Sequence, residues 1–215
     1  MIDRRENGVV LDRTAFYPRG GGLPSDVGVI VYGGKEFSVN FVYSEGDVVV
    51  HEVQGDIPVG ATVTGKIDWE RRYRIMKLHT AAHVIVGVAY SNFGVLITGG
   101  DITLEKGHLD FSFERMDREL FKQIVAEADK LAKEGHNVKI YYMKREGVLK
   151  TPGLVKLAEK LPPKIDVLRI VEIEGIDVQA DGGPHVANTK EIGTIKFLKA
   201  KNVGKGRKRI YYTVE

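Results

Sequence analysis

Asp68 divides this chain into two kinds of sequence. Ahead of it, short β-rich runs are punctuated by Gly, Pro and Asp. The runs are Val27–Val31, Phe37–Val42, Val48–Val53 and Ala61–Ile67, with Gly33-Gly34 and Glu45-Gly46-Asp47 as turn signals between them. Strands this short and closely spaced predict a small N-terminal antiparallel β-barrel. Asp is a favoured helix N-cap, and Trp69 to His79 follows it without a breaker, which predicts a helix running on to about Tyr90. The domain boundary is therefore expected just before that helix, giving a β-barrel domain over residues 1–68 and a second domain over residues 69–215.

The second domain reads as α+β, with helices packed on a mainly antiparallel sheet. Asp101–Leu104 and His108–Phe113 look like paired strands. In the latter, Leu109, Phe111 and Phe113 alternate with His108, Asp110 and Ser112, as in a sheet with one covered face. A helix capped by Asp117 and ended by Gly135 shows an apolar face of Leu120, Phe121, Ile124, Val125, Ala128 and Leu131. Further strands are expected at Val138–Tyr142, Val167–Ile173, Asp177–Gln179, Ile192–Leu198 and Arg209–Val214. A short helix is expected over Thr151–Lys160, stopped before Pro162-Pro163.

Two pairs of residues carry metal-ligand chemistry. His79 and His83 lie four apart, so on a helix both imidazoles leave the same face one turn apart. Asp181 and His185 also lie four apart, around a tight Gly182-Gly183-Pro184 loop. Folded together they would offer three nitrogens and a carboxylate oxygen to one ion, and zinc accepts such a set. Each pair alone has a plainer reading. The stripe Met76, His79, Thr80, His83 and Gly87 also suits a packed core, and a carboxylate and a His in a Gly-rich loop also suit a hydrogen-bonded turn. That three of the chain's six histidines fall in these two matched segments favours the metal.

The chain has no cysteine, which removes disulfides, thiolate ligands and a Cys nucleophile. No Ser–His–Asp arrangement is evident either, so a hydrolytic site here would use water. Gly20-Gly21-Gly22 reads as a flexible turn or as backbone brought close to a ligand. The formal charge of +3 is too mild to indicate a nucleic-acid partner. Charge does concentrate near the end, in Lys205, Arg207, Lys208 and Arg209, as either a solvated basic hairpin turn or a contact for RNA phosphates. Met1–Asn7 has no apolar core and no run approaches a membrane span, so a cytoplasmic protein with no membrane partner is expected.

The segments Leu11–Gly28, His79-Thr-Ala-Ala-His83, Asp181–Gly193 and Gly204–Tyr212 resemble, in order, the editing domain of alanyl-tRNA synthetases. They are more closely similar to the free-standing AlaX proteins that share that domain. The resemblance implies a trans-editing hydrolase that deacylates mischarged tRNA(Ala), chiefly seryl-tRNA(Ala) and secondarily glycyl-tRNA(Ala), with one Zn2+ per chain. His79, His83 and His185 would hold the ion. Asp181 stands where the family usually has Cys, and would complete the site or orient a ligand from behind. The resemblance further implies substrate contacts at Gly20, Gly21 and Gly22, and favours RNA contact at the basic C-terminal cluster. Thr80 is the candidate reader of a serine hydroxyl, with a helix residue bonded to its own backbone as the alternative. Two rivals remain open: a non-catalytic tRNA-binding module without its metal, and an editing hydrolase for another mischarged tRNA such as seryl-tRNA(Thr).

Overall fold

The computed structural model describes residues 1–151, 154 and 165–215, and it is an α+β structure of antiparallel sheets with three α-helices among those residues. It divides into two compact units, Met1–Ile75 and Met76–Glu215.

The first unit is a six-stranded sheet of β1 (Asp3–Arg5), β2 (Gly8–Val10), β3 (Gly28–Tyr32), β4 (Lys35–Glu45), β5 (Val48–Val53) and β6 (Thr64–Ile67). The order is β1-β2-β5-β4-β3-β6, antiparallel throughout, with β1 and β6 outermost. Val9, Phe16, Ile30, Val39, Val42, Val53 and Ile57 form its core. β5 has the expected bounds. β1 and β2 were not anticipated, because a three-residue strand is too short to show alternation, and all of Gly8-Val9-Val10 is buried.

The glycine-rich segment is a hairpin in this unit. Gly20 and Leu23 exchange backbone hydrogen bonds of 3.3 and 2.9 Å across Gly21 and Gly22, at φ 58° and 81°. Both central residues are left-handed, as a tight two-residue turn demands, and only glycine adopts that freely. At the hairpin's base, Asp26 accepts the Tyr17 N–H at 2.7 Å and pairs with Arg72.

Helix α1 (Trp69–Phe93) starts where Asp68 accepts the Arg71 N–H at 3.0 Å. Its first turns go with the first unit, through Arg72 on Asp26 and Arg71 on the Ser25 carbonyl. From Leu78 to Ala89 every residue is buried, so no single polar stripe interrupts this stretch.

In the second unit, β7 (Ile97–Ile102) and β8 (Gly107–Phe111) join a four-stranded sheet, and α2 (Arg118–Glu134) follows. As expected, Asp117 caps α2, accepting the Leu120 N–H at 2.9 Å, and Gly135 ends it. Its buried residues are Phe121, Ile124, Val125, Ala128 and Ala132; Leu120 and Leu131 lie at the margin of that face. Next come β9 (Val138–Lys144), a short α3 (Arg145–Lys150), β10 (Val167–Ile173) and β11 (Asp177–Ala180), which form a second sheet in the order β11-β10-β9. The helix expected over Thr151–Lys160 falls on residues that, Thr151 and Leu154 apart, lie outside those described.

One face of the β11-β10-β9 sheet buries Leu168 and Ile170 with Val148 and Leu154. Its other face carries Asp177, Gln179 and Arg169. After a 3₁₀ turn at Thr189–Ile192, β12 (Ile195–Gly204) and β13 (Arg207–Val214) complete the first sheet in the order β12-β13-β8-β7. Ile192 thus closes a turn instead of opening a strand. Gly87 of α1 lies so close to the turn before β11 that a Cβ there would stand 2.5 Å from the Ile176 carbonyl oxygen. Among the described residues no helix is long and apolar enough to cross a membrane.

Candidate metal centre

Helix α1 sets His79 and His83 one turn apart, and the loop leaving β11 brings Asp181 and His185 to them. One donor atom from each of the four residues lies within 4.8 Å of all the others. The three imidazoles crowd together, with ring centroids 4.2 to 5.0 Å apart. All three are buried, and Asp181 is half-buried.

The ring nitrogens are divided between two tasks. His79 Nδ1 is 3.2 Å from the Pro184 carbonyl oxygen, His83 Nδ1 is 2.9 Å from Asp177 Oδ2, and His185 Nδ1 is 3.1 Å from Thr80 Oγ1. A carbonyl and a carboxylate only accept, so His79 and His83 each donate through Nδ1–H, and the His79 ring, when neutral, leaves Nε2 as a lone pair. The Thr80 hydroxyl donates to the Met76 carbonyl at 2.9 Å and accepts the Val186 N–H at 3.2 Å. Its remaining capacity is one acceptor site, which His185 Nδ1–H fills. His185 therefore also presents Nε2.

These lone pairs converge on Asp181, whose Oδ1 is 3.2 Å from His185 Nε2 and whose Oδ2 is 3.6 Å from His79 Nε2. Acceptors facing each other at that distance repel unless a cation lies between them. Zinc bonds of about 2.0–2.2 Å in a tetrahedron hold ligand atoms about 3.3–3.6 Å apart, so the donor set suits such an ion in type, and these two separations are close to that spacing.

Burial holds His79 down to about 4, against the raising effect of Asp181, and holds His185 well below its ordinary value. Both rings are thus neutral at pH 7. Burial alone would raise the Asp181 carboxyl, but the neighbouring His79 and His185 outweigh it and keep it below the usual carboxylate range. Neutral imidazoles beside an ionised carboxylate are the protonation states a metal requires.

Several supporting residues were not anticipated. Asp177 orients His83 and is itself fixed by Gln179 Nε2 at 2.7 Å. Arg169 Nη1 donates to the carbonyls of Asp181 and Gly183 at 2.9 and 3.0 Å, while the Gly183 N–H reaches Asp181 Oδ1 at 2.7 Å, which locks the ligand loop. A signal was present: Asp177, Gln179 and Asp181 alternate, placing two polar side chains on one face of β11 and the third just past its end.

Other expected site residues lie differently. Thr80 is fully buried behind His185 with its hydroxyl capacity filled, which leaves nothing for a substrate hydroxyl and corrects that expectation. Gly20, Gly21 and Gly22 form the hairpin turn of the first unit. The basic cluster splits in two. Lys205 and Arg207 are exposed around the β12–β13 turn. Lys208 is buried, with Nζ 3.5 Å from the Gly204 carbonyl oxygen, and Arg209 donates twice to Asp110 at 2.6 and 2.8 Å.

Residues 168–211 match the family model of the threonyl and alanyl tRNA synthetase second additional domain, and residues 1–71 match that of the class II (A) tRNA synthetases. The chain is similar to the alanyl-tRNA editing protein AlaX-M of Saccharolobus solfataricus, 50% identical over 213 residues that cover 97% of this chain and 89% of that protein. The protein of the same name from Methanosarcina acetivorans is 44% identical over 216 residues, covering 96% and 88%. The alanine–tRNA ligase of Ignicoccus hospitalis is 36% identical over 215 residues, which are 99% of this chain but 24% of that enzyme.

Proposed function

The chain belongs to the AlaX-M family of alanyl-tRNA editing proteins, and on that premise we propose that it is a trans-editing hydrolase acting on mischarged tRNA(Ala). The substrate is serine, and secondarily glycine, esterified to the terminal ribose, and the bond cleaved is that ester. One Zn2+ per chain is held by His79, His83, His185 and Asp181. The observation that carries this reading is the division of labour on the imidazoles, with every Nδ1 engaged by the protein and one donor atom from each ring within 4.8 Å of one carboxylate oxygen.

When bound, zinc supplies a Lewis acid that polarises an ester carbonyl or makes water a nucleophile near neutral pH. The chain's residues prepare that chemistry. Pro184, Asp177 and Thr80 each engage Nδ1 of one ring and so orient the three imidazoles for an ion. Arg169 and the Gly183 N–H fix the loop so that the Asp181 carboxylate faces the rings. A pocket that hydrogen-bonds a serine hydroxyl rejects alanine, because alanine would leave those buried groups unpaired. That hydroxyl is read by a group other than Thr80. Backbone of the Gly20–Gly22 turn is proposed to approach the substrate; a Cβ at Gly20 or Gly21 would meet no atom closer than 3.7 Å, so this turn has an open side. Lys205 and Arg207 are proposed to contact RNA phosphates, and the protein to work in the cytoplasm.

The test is deacylation of seryl-tRNA(Ala) by the full chain, with zinc and with a chelator. Zinc-dependent release of serine, with alanyl-tRNA(Ala) left intact, is the expected result. Zinc bound without deacylation would indicate a tRNA-binding module, and faster release from seryl-tRNA(Thr) would reassign the substrate.

A further inference from the structure

β9 is the outer strand of the sheet that carries Asp181. Its register brings Tyr142 opposite Arg169 of β10, and the Asp181 N–H in turn donates to the Arg169 carbonyl at 3.1 Å. Tyr142, Arg169 and Asp181 therefore form one cross-strand row, and residues directly opposite in antiparallel strands point to the same face. At about 4.8 Å per strand, Tyr142 stands about 10 Å from the carboxylate-bearing backbone. Yet Tyr142 is 69% exposed, and its row neighbours on either side, Ile140 of β9 and Val167 of β10, are each 49% exposed. An open aromatic ring flanked by aliphatic side chains thus adjoins a buried cluster of ligands. Arg169 is the middle residue of this row, and its guanidinium is fixed by two carbonyls of the loop that carries Asp181 and His185.

We propose that Tyr142, with Ile140 and Val167 beside it and Arg169 next in the row, is a stacking platform for the unpaired 3′-terminal base of the acylated RNA. The inference rests on the hydrolase reading above. An ester on a terminal ribose is joined to its base through that one sugar, so a base stacked in this row leaves the ester directed along it toward Asp181. Aromatic faces and Arg planes are the surfaces on which proteins stack unpaired bases, and such stacking does not depend on the RNA's duplex sequence.

The test uses the zinc-loaded full chain and a short RNA ending in CCA, with 2-aminopurine replacing the last base. Stacking should quench its fluorescence in the wild type. Tyr142→Ala should abolish the quenching and weaken binding on the order of 10-fold, whereas Tyr142→Phe should retain both. Zinc content should be equal in all three, since Tyr142 touches no ligand. In deacylation, Tyr142→Ala should lower kcat/KM by about 10-fold on an RNA with a terminal adenine and leave it unchanged on one with an abasic terminal ribose, as expected if the side chain and the base act as a pair. Quenching absent from the wild type, or unchanged in Tyr142→Ala, overturns the platform even where deacylation proceeds normally. No deacylation by the wild type on any acylated RNA overturns the hydrolase reading, and this inference with it.

Discussion

The first unit buries a histidine as deeply as the second does, and uses it for a different purpose. His51 is fully buried, with Nε2 2.7 Å from Thr14 Oγ1, Nδ1 3.2 Å from the Val9 carbonyl oxygen, and its ring edge-on to Phe16. Both nitrogens are consumed, so His51 is a polar pin in an apolar core. His79, His83 and His185 are almost as buried, and each engages Nδ1, but His79 and His185 hold the opposite edge toward a shared carboxylate. Burial and a depressed pKa are common to the two regions. What separates a structural histidine from a ligand is which ring nitrogen the protein leaves over.

The largest test of that difference removes a ring from each region. His79→Ala or His185→Ala should lower zinc affinity by more than the about 100-fold seen when a partner behind a ligand is lost, and should abolish deacylation. His51→Ala should leave the zinc content at one per chain and instead cost stability of about 1–3 kcal/mol, by stranding Thr14 and the Val9 carbonyl. Equal zinc titrations for all three variants would erase the distinction. Asp181 comes next. Asp181→Ala should weaken zinc beyond about 100-fold if its oxygen is a ligand, and by only about 10–100-fold if it acts from behind. Asp181→Cys should keep the ion. Full affinity and activity in the alanine variant would rule out both roles.

A smaller effect is expected from the groups behind the rings. Asp177→Asn and Thr80→Val should each reduce zinc affinity by about 10–100-fold, measured by competition with a chromophoric chelator. Thr14→Val, which removes the corresponding hydroxyl from His51, should not alter zinc affinity. The smallest effect is on pH dependence. His51 is held below its ordinary value by burial, so below about 6.5 the unfolded chain binds a proton that the folded chain refuses. Its contribution is thus intact above that pH and is lost as the pH falls. Urea unfolding of metal-free protein at pH 7.5 and 5.5 should show a smaller loss for His51→Gln than for the wild type. His79 and His185 shift in the same direction, so the difference between the two proteins is the informative quantity.

The four residues that gather at the candidate metal centre were legible because their spacing repeats: His79 and His83 on a helix turn, Asp181 and His185 across a loop. Helix α2 was legible because its cap, face and stop all agree. Asp177 was not, because its meaning depends on His83, ninety-four residues away, and strand alternation alone does not say which face meets a helix. The same limit applied to charge. Asp110 sits at a position that alternation assigns to the open face, yet it is buried under Arg209 from the neighbouring strand. Within the C-terminal cluster, strand β13 turns Lys208 inward and leaves Arg207 outside, a difference that the basic run conceals until its register is known. Thr80 misled for another reason. Lying next to a ligand in sequence suggests contact with substrate, but on this helix it faces the ring that the distant loop delivers.

Gly87 brings α1 within contact of the turn that leads into Asp177, and its missing side chain gives the site a hidden vulnerability. In a random library screened for proteins that fold but no longer hold metal, position 87 should appear beside the candidate ligands, although it offers no side-chain donor. Even one methyl group would press on the Ile176 backbone, which unlike a flexible side-chain tip cannot simply swing aside. The helix and strand would then part where His83 and Asp177 need to meet. A catalogue of functional positions drawn only from donor atoms would overlook the spacer that keeps those donors in register.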